Sequence, residues 1–320
     1  MSAHALDKNL DVVAVSARAE LVRVIGLSGA WDADPGWRAV FAAVPRHLFV
    51  PYYYMAVADG NERLWRDSPD PRTRERWLRG VYADVPLATR LRDGELMSSS
   101  SQPSLMARML AELRVSDGDR VLEIGAGTGY NAALLAERLG DDLVTTVDLE
   151  PEITDSARTH LADAGYRPTV ITGDGTRGVP EHGPYDRIIA TCALTSIPPA
   201  WLAQCTPGAR ILAPLATGLI ALTVQDETHA EGNFLDTAAY FVPLRGTAPA
   251  TPGEIPHRPD DHELLRFLLT LTHGTLDPQE ARELWEREGR PGRERYGVTV
   301  TGEGTRAWLD APGTCQLPVF

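Results

Sequence analysis

The stretch Val121–Tyr130, VLEIGAGTGY, constrains this chain more than any other segment. A short apolar run, a glycine-rich turn and the helix-forming YNAALLAERLG read as strand, tight turn and helix. Gly125, Gly127 and Gly129 bring no Cβ, so the backbone there can come close to a ligand. The rhythm continues beyond it. Strands are predicted at LVTTVDL, PTVITGDG, YDRIIATCAL and ARILAPL, with helices at PEITDSARTHLADAG and PPAWLAQC between them. This alternation predicts an α/β fold with a mostly parallel sheet covered on both faces, which binds ligands at the carboxyl ends of its strands. GLIALTVQD and DTAAYFVPL read as a further antiparallel pair.

The flanks read differently. Helical spacing covers residues 8–29 and 35–43, and one amphipathic helix is expected within 61–80. Val85–Leu91 fits a short strand. Ser98–Ser101 then lead into a helix over Ser104–Leu113, whose Leu105, Met106, Met109, Leu110 and Leu113 share a face. The proline-rich segment 247–262 marks a boundary, and helices and a hairpin follow it. The expected organisation is an N-terminal helical extension over 1–95, a core over 96–246 and a C-terminal α+β accessory module over 247–320.

A net charge of −13 argues against a nucleic-acid partner. The basic cluster Arg72–Arg79 is interleaved with acids and reads as a solvated helix face or as a patch for an acidic peptide. No apolar run is long enough for a membrane span, and the N-terminus has no secretory pattern. Cys192, Cys205 and Cys315 are widely spaced, which fits reduced thiols in a cytoplasmic protein and neither a disulfide frame nor a metal site.

Three acids stand at strand positions that suit a ligand. Asp148 ends the second strand, where a carboxylate can accept from a ribose diol. Glu123 lies inside the first strand, where a structural residue would be apolar and an acid suits an ammonium group. Asp174, in TGDGT, can accept from an adenine amine. The third glycine comes one residue too early for a dinucleotide fingerprint. Together these features point to S-adenosyl-L-methionine and a Rossmann-like class I methyltransferase sheet.

The motifs VPRHLFVP, SSQPSLMARML, VLEIGAGTGYNAALLA, TGDG, YDRIIATCA and IPPAWLAQCTPGARILAPL occur in the order and spacing of protein-L-isoaspartate O-methyltransferases, which the chain resembles over about residues 44–224. The resemblance implies methyl transfer from S-adenosyl-L-methionine to an aspartyl or isoaspartyl carboxylate, whose ester cyclises to a succinimide. It implies Ser101 as the active-site serine, Gly125, Gly127, Asp148, Asp174 and Gly175 at the cofactor, and Thr191 and Cys192 in a segment that approaches cofactor and substrate. Beside these, Ser98, Ser99, Glu123 and Leu149 are expected at the cofactor and Ser100 toward the substrate, with the roles of Ser98, Ser99 and Ser100 left undivided. Ser99 and Ser100 stand where the repair enzymes usually carry Thr-Ile, and the chain is longer at both ends. Both departures resemble a bacterial branch that methylates one aspartate of a ribosomally made precursor peptide, forming an aspartimide. General isoaspartate repair is the alternative. A different methyl acceptor on the same core, or cofactor binding without turnover, are further readings.

The serine run has a chemical logic. An aspartate carboxylate titrates near about 3.9, so it is already ionised and needs no general base. It needs alignment, loss of water and compensating hydrogen-bond donors. Hydroxyls supply donors without quenching the nucleophile, and the N-terminus of the following helix is expected to add free N–H groups. Ser101 is expected to orient the carboxylate; its competing role is a helix N-cap. His47 is expected to be a packed histidine, Cys192 a core thiol and Trp201 a packing residue.

Overall fold

The computed structural model describes residues 3–58, 60–92, 94–244 and 262–317. Its elements in chain order begin with α1 (Ala3–Leu27), α2 (Gly36–Ala43), β1 (Tyr52–Val57), β2 (Gly60–Trp65), α3 (Pro71–Val81), β3 (Leu87–Arg92), β4 (Glu95–Ser100) and α4 (Pro103–Leu113). Then come β5 (Val121–Ile124), α5 (Tyr130–Leu139), β6 (Val144–Asp148), α6 (Pro151–Asp163), β7 (Thr169–Thr172), β8 (Tyr185–Ala190), α7 (Pro199–Leu202), β9 (Cys205–Leu215), β10 (Gly218–Asp226) and β11 (His229–Ala238). The chain closes with α8 (His262–Leu271), α9 (Pro278–Arg287), β12 (Tyr296–Thr301), β13 (Gly304–Leu309) and β14 (Cys315–Gln316). Two compact units result. The first comprises the described residues of Met1–Gly118 and Ala126–Thr172, the second those of Asp119–Gly125 and Gly173–Phe320.

In the first unit, an antiparallel sheet of order β2-β1-β3-β4 packs with helices α1–α4. Trp37, Phe41, Phe49, Trp77, Leu78, Met109 and Leu110 are all fully buried there. The same unit holds the parallel pair β6 and β7 with helices α5 and α6. In the second unit, β5, β8 and β9 run parallel, and β9 through β14 continue as successive antiparallel neighbours. All four residues of β5 are buried, so its glycine turn starts from a fixed end. Among the described residues, no helix is long and apolar enough to cross a membrane, and no cluster has the makings of a metal site.

The one amphipathic helix expected within 61–80 is α3, preceded by β2, with Pro71 in its first turn. Asp70 caps α3, accepting the N–H groups of Arg72 at 3.1 Å and Thr73 at 3.2 Å. The return strand after β10 begins at His229, earlier than DTAAYFVPL. Asp226 Oδ1 accepts the N–H and the hydroxyl of Thr228, both at 2.8 Å, and this closes the turn at once. Ser98–Ser100 close strand β4, with Ser101 just beyond it: Leu87 faces Ser100, Ala88 faces Ser99 and Arg90 faces Ser98. Most of the proline-rich boundary, 247–261, lies outside the described residues.

Candidate active site

Strand geometry sorts the serines. Successive side chains on a strand point to opposite faces, so the hydroxyls of Ser98, Ser99 and Ser100 in β4 cannot share one job. In the first unit, Ser98 Oγ accepts from Thr89 Oγ1 at 3.3 Å. Ser100 is 3% exposed, and its hydroxyl accepts from Arg46 Nε at 3.3 Å and Nη2 at 3.2 Å. Ser99 and Ser101 are half-buried, and their hydroxyls make no hydrogen bond with any described residue. Ser101 is not the helix cap. That position belongs to Gln102, which makes no side-chain cap bond. Nor is the α4 N-terminus wholly free, as the sequence led us to expect. Asp84 Oδ1 takes the Ser104 N–H at 2.8 Å, and Asp84 Oδ2 accepts from Gln102 Nε2 at 3.3 Å.

Arg46 was not singled out from the sequence, yet it lies beneath the serines with no exposed surface. Its Nη2 also donates to the carbonyls of Ser100 at 3.3 Å and Ser101 at 3.1 Å, and its Nη1 to Val81 O at 2.8 Å and Ala83 O at 3.2 Å. Burial pulls the guanidinium down to about 10, still protonated at neutral pH. The neighbouring His47 is a packed residue as expected, with Nδ1 2.7 Å from the Tyr82 hydroxyl and its ring edge-on to Trp77.

Gly127 belongs to the same unit. Its N–H donates to Asp148 Oδ2 at 3.2 Å, and a Cβ added to it would meet only Ser99 O, at 3.7 Å. Asp148 is half-buried and Leu149 is exposed. An open pocket of about 450 Å³ is lined by Tyr52, Arg90, Ser98, Gly127, Thr128 and His160, among others. Burial lowers the His160 pKa, and its Nδ1–H donates to Thr128 O at 3.0 Å. Arg90 pairs with Glu152, and Arg92 with Glu150 at 3.7 Å, so β3 is tied to the segment that follows Asp148.

In the second unit, Glu123 is a fully buried carboxylate in β5. Gly125 has φ +101°, and a Cβ there would stand 2.7 Å from Thr191 Oγ1. Thr191 Oγ1 donates to Gly125 O at 2.7 Å, so this hydroxyl holds the turn. Cys192 is buried, with Sγ 3.8 Å from Ile124 O. Burial pushes the Cys205 thiol up to about 12, where it is protonated and inert at neutral pH. Asp174 caps the turn Gly175–Arg177 through Oδ1, which accepts the Thr176 N–H at 2.9 Å; Oδ2 makes no bond among the described residues. Trp201 is a packing residue, but a directed one: it is fully buried and its Nε1–H donates to Gly175 O at 2.8 Å. Gln204, also missed, braces the far side of that turn by accepting the Val179 N–H at 2.8 Å and donating to Arg177 O at 2.7 Å.

These donor sets fit S-adenosyl-L-methionine. The first unit offers the Gly127 backbone beside the half-buried Asp148, and the second offers the buried Glu123 and the exposed Asp174 with a spare oxygen.

Comparison with known proteins bears on the same residues. Residues 72–248 match the model of the Protein-L-isoaspartate(D-aspartate) O-methyltransferase (PCMT) family. A protein-L-isoaspartate O-methyltransferase of Methanococcoides burtonii is 35% identical over 208 residues, spanning 63% of this chain and 88% of that protein. One from Aeropyrum pernix is 35% identical over 212 residues, spanning 64% of this chain and 70% of the other. Among solved structures, a protein-L-isoaspartate O-methyltransferase superposes with a TM-score of 0.64 at 24% identity, covering 92% of this chain and all of that one. The Rossmann-like class I methyltransferase fold expected from the sequence is thereby established.

Proposed function

The chain belongs to the Protein-L-isoaspartate(D-aspartate) O-methyltransferase family, and on that premise we propose that it methylates the side-chain carboxylate of isoaspartyl or aspartyl residues in peptides. Its methyl donor is S-adenosyl-L-methionine, which supplies a methyl group carried on a sulfonium sulfur. Asp148 would accept from the ribose hydroxyls, Glu123 would answer the ammonium charge and Asp174 Oδ2 would take the adenine amine. Leu149 offers apolar surface to the base, and Gly125, Gly127 and Gly175 leave room for close approach.

The observation that carries the reading is the division among the serines. Two hydroxyls are committed to holding the strand, and two, on Ser99 and Ser101, have no described partner. A carboxylate stripped of water needs such donors, since burying an unsolvated anion is prohibitive. Ser101 would orient the carboxylate, with Ser99 beside Gly127 at the cofactor side. In the second unit, Thr191 and Cys192 are the candidate substrate-side residues, on a segment held at Ile124 and Gly125. In the product, a backbone amide nitrogen of the peptide attacks the ester carbonyl, methanol leaves and a succinimide closes. Ser101→Ala should lower kcat by about 100-fold, the scale for misplacing a reacting group by about 1 Å. Affinity for S-adenosyl-L-homocysteine should hold. Activity surviving that change would remove Ser101 from the mechanism.

A narrower reading makes the substrate one precursor peptide and the product an aspartimide. One feature favours it: Ser99 and Ser100 in the serine run, where the repair enzymes usually carry Thr-Ile. An isoaspartyl hexapeptide and a macrocyclic aspartyl peptide, offered separately, distinguish the cases. Methylation of the hexapeptide alone would mean repair.

A further inference from the structure

We propose that Arg46 is a positioning residue for methyl transfer, a buried cation that fixes the backbone from which the Ser101 hydroxyl projects. This rests on the function proposed above. The guanidinium has no exposed surface, and no carboxylate among the described residues lies within ion-pair distance of it. Its acceptors are backbone carbonyls and one hydroxyl: Val81, Ala83 and Val85 on one side, Ser100 and Ser101 on the other.

A buried cation with no ion-pair partner among the described residues is a costly way to fill space. Apolar residues of similar volume commonly replace buried ions without loss of stability. What the fork provides is direction, because its planar N–H groups fix several oxygens at once where an ammonium would fix fewer. The held oxygens flank the proposed reacting group. Arg46 grips Ser101 at its carbonyl, and Asp84, from the loop that Arg46 also grips, holds Gln102 and Ser104 on the other side. Ser101 is thus fixed in backbone and free in hydroxyl. The cation also stands behind the strand that is to receive an anionic carboxylate, and in a water-poor setting its field is weakly screened. None of its N–H groups need touch the substrate for either effect.

The test uses Arg46→Lys, Arg46→Ala and Ser100→Ala in the full chain, with kinetics on an isoaspartyl hexapeptide, S-adenosyl-L-homocysteine titration and thermal unfolding. Arg46→Lys should lower kcat by about tenfold or more while cofactor affinity stays within about threefold. Millimolar guanidinium chloride should restore part of the activity of Arg46→Ala and none of that of Ser101→Ala. Ser100→Ala, which removes only the hydroxyl of the clamp, should lower kcat by about threefold. It decides the matter if neither Arg46 variant folds: unchanged kcat then overturns the proposal. Wild-type kcat in Arg46→Lys, or parallel loss of kcat and cofactor affinity, also overturns it. A wild-type chain that binds the cofactor and methylates no aspartyl peptide refutes the proposed function instead, before any Arg46 variant is compared.

Discussion

The glycine turn at Gly125–Gly129 and the serine strand at Ser98–Ser101 are both short and built of small residues, yet they are specified in different ways. The turn is specified mainly by its own glycines, with Thr191, 66 residues downstream, as an outside brace. Gly125 sits at a backbone angle that disfavours other residues, and a side chain there would strike Thr191. The strand is specified from outside. Arg46, 54 residues upstream of Ser100, and Thr89 hold two of its hydroxyls, while Asp84 fixes the residues that follow. A locally specified site fails abruptly when one residue changes. A remotely specified one should degrade in steps.

The comparison can be broken at several points. Gly125→Ala should have the largest effect, because it combines a strained backbone with a side-chain clash; strain of this kind costs on the order of 1–3 kcal/mol. Calorimetric titration should show S-adenosyl-L-homocysteine affinity lost by about tenfold or more, and near-normal binding would mean the turn is not self-specified. Among the serines, steady-state kinetics should rank the alanine variants Ser101 first, then Ser100, then Ser98, whose only described side-chain partner is Thr89. Equal losses at all three would dissolve the division between holding and reacting hydroxyls.

Smaller effects sharpen the picture. The pairs Arg90–Glu152 and Arg92–Glu150 tie the serine hairpin to the segment after Asp148. They are partly exposed, so each is worth about 0–1 kcal/mol and is screened by salt. Replacing both arginines with glutamine should raise the KM for the cofactor by about threefold at low salt, and the gap from wild type should close near 0.5 M salt. A gap that persists at high salt would assign the arginines a role beyond the ion pairs.

The smallest effect concerns pH. Burial lowers the His160 pKa below its ordinary 6.5, so the unfolded chain binds the proton more readily. Stability from this group is present above about 6.5 and is lost as pH falls through that value. Denaturant unfolding of His160→Phe should show a flatter decline with acid than wild type, and an identical slope would remove His160 from the balance.

What the sequence discloses follows the same division. The βα alternation, the turn glycines and the acids near it are legible because each depends on neighbours in the chain. The packing roles of His47 and Trp201 are legible because large aromatic and imidazole side chains in apolar runs are usually buried. The pairing of the serine strand was missed although Asp93–Gly94, between LATRLR and ELMSSS, is a hairpin signal; Asp59–Gly60 between β1 and β2 is another. A polar serine run resembles a linker until its partner strand is known. Arg46, Asp84 and Gln204 were beyond reach for a different reason. Each acts by hydrogen bonds to backbone far along the chain, and those depend on the fold and leave no pattern in residue spacing.

One measurement meets the central claim most directly. The protein is incubated with S-adenosyl-L-methionine labelled in its methyl group and an isoaspartyl hexapeptide or a macrocyclic aspartyl peptide, and the product is then treated with mild base. Label released as methanol is the predicted result, because only a carboxyl ester hydrolyses that readily. Label that stays on the peptide through base would mean that the acceptor is not a carboxylate, and the account of the serine strand would fall with it.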